Sequence, residues 1–281
     1  MKRILAGKAG RVNVPLIAGA AVTSAFVLAA VFAPWIAPCS PFDQDLFGGL
    51  AGPGADHLLG QDRLGRDILT RIIYGARISL TVGFVTVGIS VLLGTLLGTA
   101  AGFFGGRVDE VIMRTCDVFL AFPGILLAIA VMAVLGPSFL NVVVALSLMG
   151  WTGFARLARG QTLSLREREF VVAAVAMGAT PARIIGRHII PNLAAPLTVE
   201  ATFAVAAAVV GEAGLSFLGL GAQPPTPSWG AMLAEGRQFL LIAPSLTIWP
   251  GLAIMLTVLG INFLGDGLRD AMDPKSKLRG E

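Results

Sequence analysis

Charged residues are missing from four long stretches of the chain, 12–42, 78–106, 118–155 and 238–265. A hydrocarbon core about 30 Å thick takes about 20 apolar residues of helix, so each stretch could cross a bilayer. The first predicts a span over 14–36 and the second a span over 78–101. As a single helix the third would be about 57 Å long at ~1.5 Å per residue, too long for one crossing. Gly136-Pro137-Ser138 is a turn signal in its middle, so it predicts a hairpin of spans over 120–135 and 139–155. A fifth span over 192–211 carries one acid, Glu200, and a sixth covers 245–265. The apolar runs are continuous and lack period-two alternation, which excludes a transmembrane β-barrel. The fold class is all-α: a polytopic membrane protein with six transmembrane helices.

Two polar segments are too large to be connectors. In the outer one, Leu64, Ile68, Ile72 and Leu69, Ile73 follow helical spacing. They predict an amphipathic helix over 64–77 at the membrane surface, with Asp62 as its N-cap and Asp67 paired to Arg71. The inner one, 156–191, predicts a helix over 162–177 that Gly178 ends. Thr180 and Pro181 then supply an N-cap and a first-turn proline, and a second short helix over 183–189, led by Arg183, stops at Pro191. The chain thus divides into a tail 1–13, a first span 14–36, an outer loop 37–77, a core 78–265 containing the inner loop 156–191, and a tail 266–281.

Charge sets the orientation. With the N-terminus inside, 16 of the 21 Lys and Arg lie in inner segments, which satisfies the positive-inside rule and makes both termini cytoplasmic. The same bias accounts for the net charge of +4, so a nucleic-acid partner is not needed to explain it. Composition agrees: 55% of residues are apolar and 14% charged, against roughly 45–50% and about 25% in soluble domains. The apolar tract after Lys2, Arg3, Lys8 and Arg11 outruns the ~7–15 residues of a cleaved signal and reads as a retained signal anchor. Pro38 before Cys39 argues against a lipoprotein site. Cys39 and Cys116 fall on opposite sides of the bilayer, which precludes a disulfide between them.

Several chemistries are absent. No G-x-x-x-x-G-K-[ST] phosphate loop and no H-E-x-x-H occurs, and His57 and His188 lie on opposite sides. The chain is therefore no enzyme, with no catalytic, metal or cofactor site. Gly94, Gly98 and Gly102 form a small-residue ladder that lets another helix approach closely, within this bundle or from a second chain. Glu200, the one acid well inside a predicted span, is either paired with a loop arginine or part of a translocation path. His188 reads as a solvated or loop-packing residue.

The most patterned segment is Phe170–Pro191, where Ala173, Ala174, Gly178 and Pro191 fall in the register of a known motif. It resembles the cytoplasmic "EAA" loop of ATP-binding-cassette (ABC) importer permeases, with Val172 where that family has Glu, and His188 and Ile190 where it has Ile and Leu. Leu59–Asp67 and Tyr74–Leu80 resemble the hallmark of the peptide/nickel branch and its C-type subunit. So do Gly214–Gly221 and Pro224–Gly230, read as outer loop, and Gly265–Asp270 followed by Asp273-Pro274. The resemblance covers about 15–275.

It implies a type I importer permease in a bacterial inner membrane. The implied partners are a homologous second permease subunit, two ABC ATPases, which would hold ATP and Mg, and an extracytoplasmic solute-binding protein. Ala173, Ala174, Gly178, Thr180, Pro181, Arg183 and Pro191 would form the ATPase-coupling loop. Pro224, Pro225 and Pro227 make a stiff outer loop and Trp229 begins a helix-spaced run. Together they would offer a rim for the binding protein, or Trp229 would anchor in lipid. The implied cargo is a di- or oligopeptide, with glutathione or a nickel chelate as alternatives. A secondary transporter would need more intramembrane charge than Glu200 supplies.

Overall fold

Asn13 opens the first helix: its Oδ1 accepts from Leu16 N at 3.1 Å, and Pro15 fits the first turn. The structure is a computed structural model, and residues 13–272 of it are described; most of the tail 1–13 and the Asp273-Pro274 motif lie outside that range. Helix α1 (Val14–Val31) and the short α2 (Ala33–Ile36) make the first span. α1 packs along the last helix, α11 (Ser245–Met272), where Gly19 and Gly260 let the backbones close up and Asn13 Nδ2 donates to Gly267 O at 3.0 Å. α11 runs seven residues beyond the predicted end at 265.

The second span differs from expectation. The surface helix over 64–77 and the span over 78–101 are one helix, α3 (Ile68–Phe104), of 37 residues. At ~1.5 Å per residue it is about 55 Å long and must project beyond the hydrocarbon. The helix runs unbroken through Gly75, which packs against Trp229. Asp67, not Asp62, is its N-cap, accepting from Thr70 N at 2.7 Å. Asp67 therefore does not pair with Arg71.

The third crossing also differs. The predicted span over 120–135 is α5 (Gly124–Leu135), only 12 residues, about 18 Å, and too short to cross alone. It follows α4 (Gly106–Leu120) after a bend of 88°, and the two together make a broken span. Pro123 at the junction cannot donate a helical hydrogen bond, so the helix restarts there in a new direction. Both pieces lie on α6 (Phe139–Arg166), which Ser138 caps by accepting from Asn141 N at 3.1 Å. α6 continues eleven residues past the predicted end at 155. Arg156 and Arg159 are consequently helical, and they pair with Asp117 and Asp109 of α4. With the bent pair counted once, the described residues hold six candidate crossings.

α3 packs closest on α6. A Cβ at Gly94 would come within 2.5 Å of Phe154 Cβ, and one at Gly102 within 2.8 Å of Arg159 O. At Gly98 it would overlap the Ala155 backbone. The glycine ladder thus faces a helix of its own chain. The remaining elements are α7 (Glu169–Ala176), α8 (Pro181–Ile184), a π-turn Ile185–Ile189, α9 (Ile190–Phe217), α10 (Trp229–Gly236) and a 3₁₀ turn Arg237–Phe239.

Candidate functional site

The inner loop is built by local rules and then corrected by packing. The helix expected over 162–177 is interrupted at Glu167-Arg168, where α6 stops and α7 starts at a new angle. Gly178 closes α7 with φ +77°: Gly178 N donates to Val175 O at 2.9 Å and Ala179 N to Ala174 O at 3.0 Å. Thr180 Oγ1 then accepts from Arg183 N at 3.4 Å and Pro181 occupies the first turn of α8.

Pro191 does not stop the second helix. The intervening π-turn bonds Ile190 N to Ile185 O, five residues back. That widened turn delivers the chain into α9 with Pro191 in its first turn, where no donor is missed. The loop element is therefore not a separate rod between Gly178 and Pro191. It is the lower end of one helical run, Pro181–Phe217, that continues across the membrane.

Burial sorts the loop residues. Val171 and Ala174 join Ile184 and Ile189 in the core cluster that extends through Leu193 and Val205 of α9. Ala173, Gly178, Thr180, Pro181, Arg183 and Pro191 are exposed, as are Val172, Val175 and Met177. His188 is half-buried beside the Phe170 ring. A projecting surface with apolar and cationic positions, seated on the end of a membrane-crossing helix, can transmit a push from outside the bilayer into it.

Two acids lie on α9, and sequence reasoning noticed one. Glu200 is exposed to a cavity of about 430 Å³ between α3, α5, α6 and α9. The loop arginine considered for it is not there: among the described residues no salt bridge reaches it. The overlooked acid is Glu212, 1% exposed, whose carboxylate accepts from Ser79 Oγ at 2.7 Å and Ser216 Oγ at 2.6 Å. It escaped notice because the fifth span was ended at 211 and Gly214–Gly221 was read as loop. The apolar helical pattern in fact continues through Leu215 to Phe217, and following it would have brought Glu212 inside.

At the outer face the Leu59–Asp67 motif has a structural task. Asp62 Oδ1 accepts from Leu64 N and Arg66 N, folding the loop into a tight turn. Arg66 Nε reaches Asp62 Oδ2 at 2.6 Å and Arg66 Nη2 reaches Glu235 Oε2 at 2.7 Å, while Arg71 Nη2 approaches Glu235 at 3.2 Å. His57 Nδ1 lies 2.9 Å from Asp67 Oδ2. These groups clamp the outer loop, the start of α3 and α10 together.

Trp229 belongs to this clamp. It is fully buried, donates from Nε1 to Ile72 O at 3.0 Å and meets the Phe26 ring edge-on. It is therefore neither a lipid anchor nor a docking contact. Pro224 and Pro225 are exposed, whereas Pro227 is buried.

Residues 90–278 match the family described as binding-protein-dependent transport system inner membrane component. The chain belongs to this family. The permease is 49% identical over 261 residues to the dipeptide transport system permease protein DppC of Alkalihalophilus pseudofirmus, covering 93% of this chain and 86% of that one. It is 50% identical over 254 residues to the glutathione transport system permease protein GsiD of Escherichia coli, covering 89% and 83%. Among solved structures it resembles the inward-facing MetNI methionine ABC transporter, with a TM-score of 0.60 at 19% identity over 73% of this chain and 98% of that chain. A similar likeness, TM-score 0.54 at 16% identity over 72% and 94%, links it to an amino acid ABC transporter crystallised with histidines. These two likenesses show the fold, that of ABC transporter permeases.

Proposed function

We propose that the permease imports short peptides, as one of two homologous membrane subunits driven by two ABC ATPases and supplied by a solute-binding protein. The observation that carries the cargo class is the near-50% identity, over about nine-tenths of the chain, to permeases named for a dipeptide and for glutathione, itself a tripeptide. Both termini face the cytoplasm in this reading, and ATP and Mg are held by the ATPases, not by this chain.

The exposed positions between Ala173 and Arg183 form the surface on which an ATPase would seat. Because α8 runs through the π-turn into α9, closure of the ATPases would tilt α9 and switch the bundle between outward- and inward-open states, provided the cargo binds the two states differently. Pro224 and Pro225 form the exposed outer rim on which the binding protein would dock.

The test is ATP-driven uptake of a labelled dipeptide and of glutathione into proteoliposomes carrying the whole transporter with its binding protein. Uptake of neither compound by an assembled, ATP-hydrolysing complex would overturn the cargo assignment.

A further inference from the structure

The cavity around Glu200 holds one unpaired carboxylate in a largely apolar hollow. Its walls include Val87, Ala128, Phe154 and Ala204. Glu200 supplies a carboxylate with no counter-charge among the described residues. Thr86 and Ser90 line the same cavity from α3, are 3% and 1% exposed, and their hydroxyl oxygens have no hydrogen-bond partner. They stand four residues apart and so share one face of α3.

An uncompensated carboxylate inside a membrane is costly unless a cation answers it, and buried hydroxyls without partners add to the cost. Protein groups do not relieve either deficit here. An ammonium answers the carboxylate: it carries donors and a positive charge, while an ionised carboxylate is an acceptor only. The volume lies within the range of small-molecule sites and suits one end of a small solute with an apolar body.

We infer that this cavity is a transit site for the α-ammonium end of the cargo, with Glu200 as counter-charge. The inference rests on the peptide reading above, since a solute without a free amine would leave the carboxylate unanswered. Glu200 sits about 15 Å along α9 from Ile190 at ~1.5 Å per residue, on the same helical run as the exposed turn at Pro181–Ile184. A tilt imposed there would move the carboxylate relative to α3 and change the grip on the ammonium.

The experiment uses the complete transporter in proteoliposomes, with radiolabelled alanyl-alanine as the probe. Glu200→Gln should lower ATP-driven uptake about tenfold, the scale of one lost hydrogen-bonded charge contact, and Glu200→Asp should retain most of it. Uptake by Glu200→Gln equal to that of the unaltered complex overturns the inference while leaving the peptide reading intact. Absence of uptake of both alanyl-alanine and glutathione by the unaltered complex overturns both.

Should Glu200→Gln fail to assemble, a second measurement decides. In a Cys39→Ser background that keeps Glu200, Ala204→Cys in the cavity wall is modified with a cationic methanethiosulfonate. Addition of ATP and binding protein loaded with alanyl-alanine should slow modification several-fold, and no protection by the dipeptide counts against the site.

Discussion

Arg66 and Glu235 lie 169 positions apart in the chain and meet at 2.7 Å between Nη2 and Oε2. Arg66 is buried and also serves Asp62, so its removal would leave both carboxylates to Arg71 alone, at 3.6 and 3.2 Å. Breaking a buried ion pair from one side costs about 3–5 kcal/mol. Arg66→Met is therefore expected to lower the unfolding midpoint of the detergent-solubilised permease far more than Glu235→Gln, which leaves Arg66 its bond to Asp62. Equal losses in the two variants would remove the clamp as the explanation of the outer loop's order.

At Gly178 the constraint is conformational, since φ is +77° and a Cβ there would meet open space. An L residue other than Asn or Asp pays roughly 1–2 kcal/mol in this region. Gly178→Asn should therefore preserve ATP hydrolysis stimulated by loaded binding protein, and Gly178→Leu should reduce it while the protein remains inserted. Normal stimulation in Gly178→Leu would show that the α7–α8 turn does not couple.

For the glycine ladder a matched pair is available on one helix. Gly98 faces the Ala155 backbone, whereas Gly88 is exposed and a Cβ there would meet nothing within 4 Å. Overpacking costs about 1–3 kcal/mol, more where backbone must move. Gly98→Leu should sharply reduce the amount of folded protein recovered from membranes, and Gly88→Leu should not. Recovery is read by size-exclusion profile after solubilisation.

The two cysteines report topology and burial together. Cys39 is part-exposed near Thr70 at the outer end of α3, and Cys116 is fully buried against Trp151 and Ala155. A membrane-impermeant maleimide added outside should label Cys39. Cys116 should resist labelling from either side until the protein is denatured. Prompt labelling of Cys116 in intact inverted vesicles would contradict the packing of α4 on α6.

Much of the architecture could be read from the chain because its causes are local. Charge-free tract length and turn residues predicted helices and crossings without reference to partners in space. The same holds for the Gly178 turn and the Thr180-Pro181 cap, whose hydrogen bonds span only a few residues. The predicted surface helix over 64–77 failed for a different reason. A helix ends where competing contacts make it end, and Trp229, more than 150 residues away, supports α3 through Gly75.

Burial was the quantity that no local pattern could supply. Glu200 and Glu212 stand twelve positions apart on one helix, yet one faces an open hollow and the other two serine hydroxyls. Ser79 reaches Glu212 only because α3 crosses α9 at that height, while Ser216 stands one turn away on α9 itself. In the same way Trp229 reads as an interfacial aromatic from its neighbours in sequence, and becomes a core residue through Ile72 and Phe26. Pro191 signals a helix stop by its chemistry, but a π-turn held by Ile184, Ile189 and Leu193 in the core delivers it to the first turn of α9, where no donor is missed. Local propensity thus set which segments are helical. Contacts between residues distant in the chain set where those helices end, which polar groups are satisfied, and hence which acid is left without a partner among the described residues.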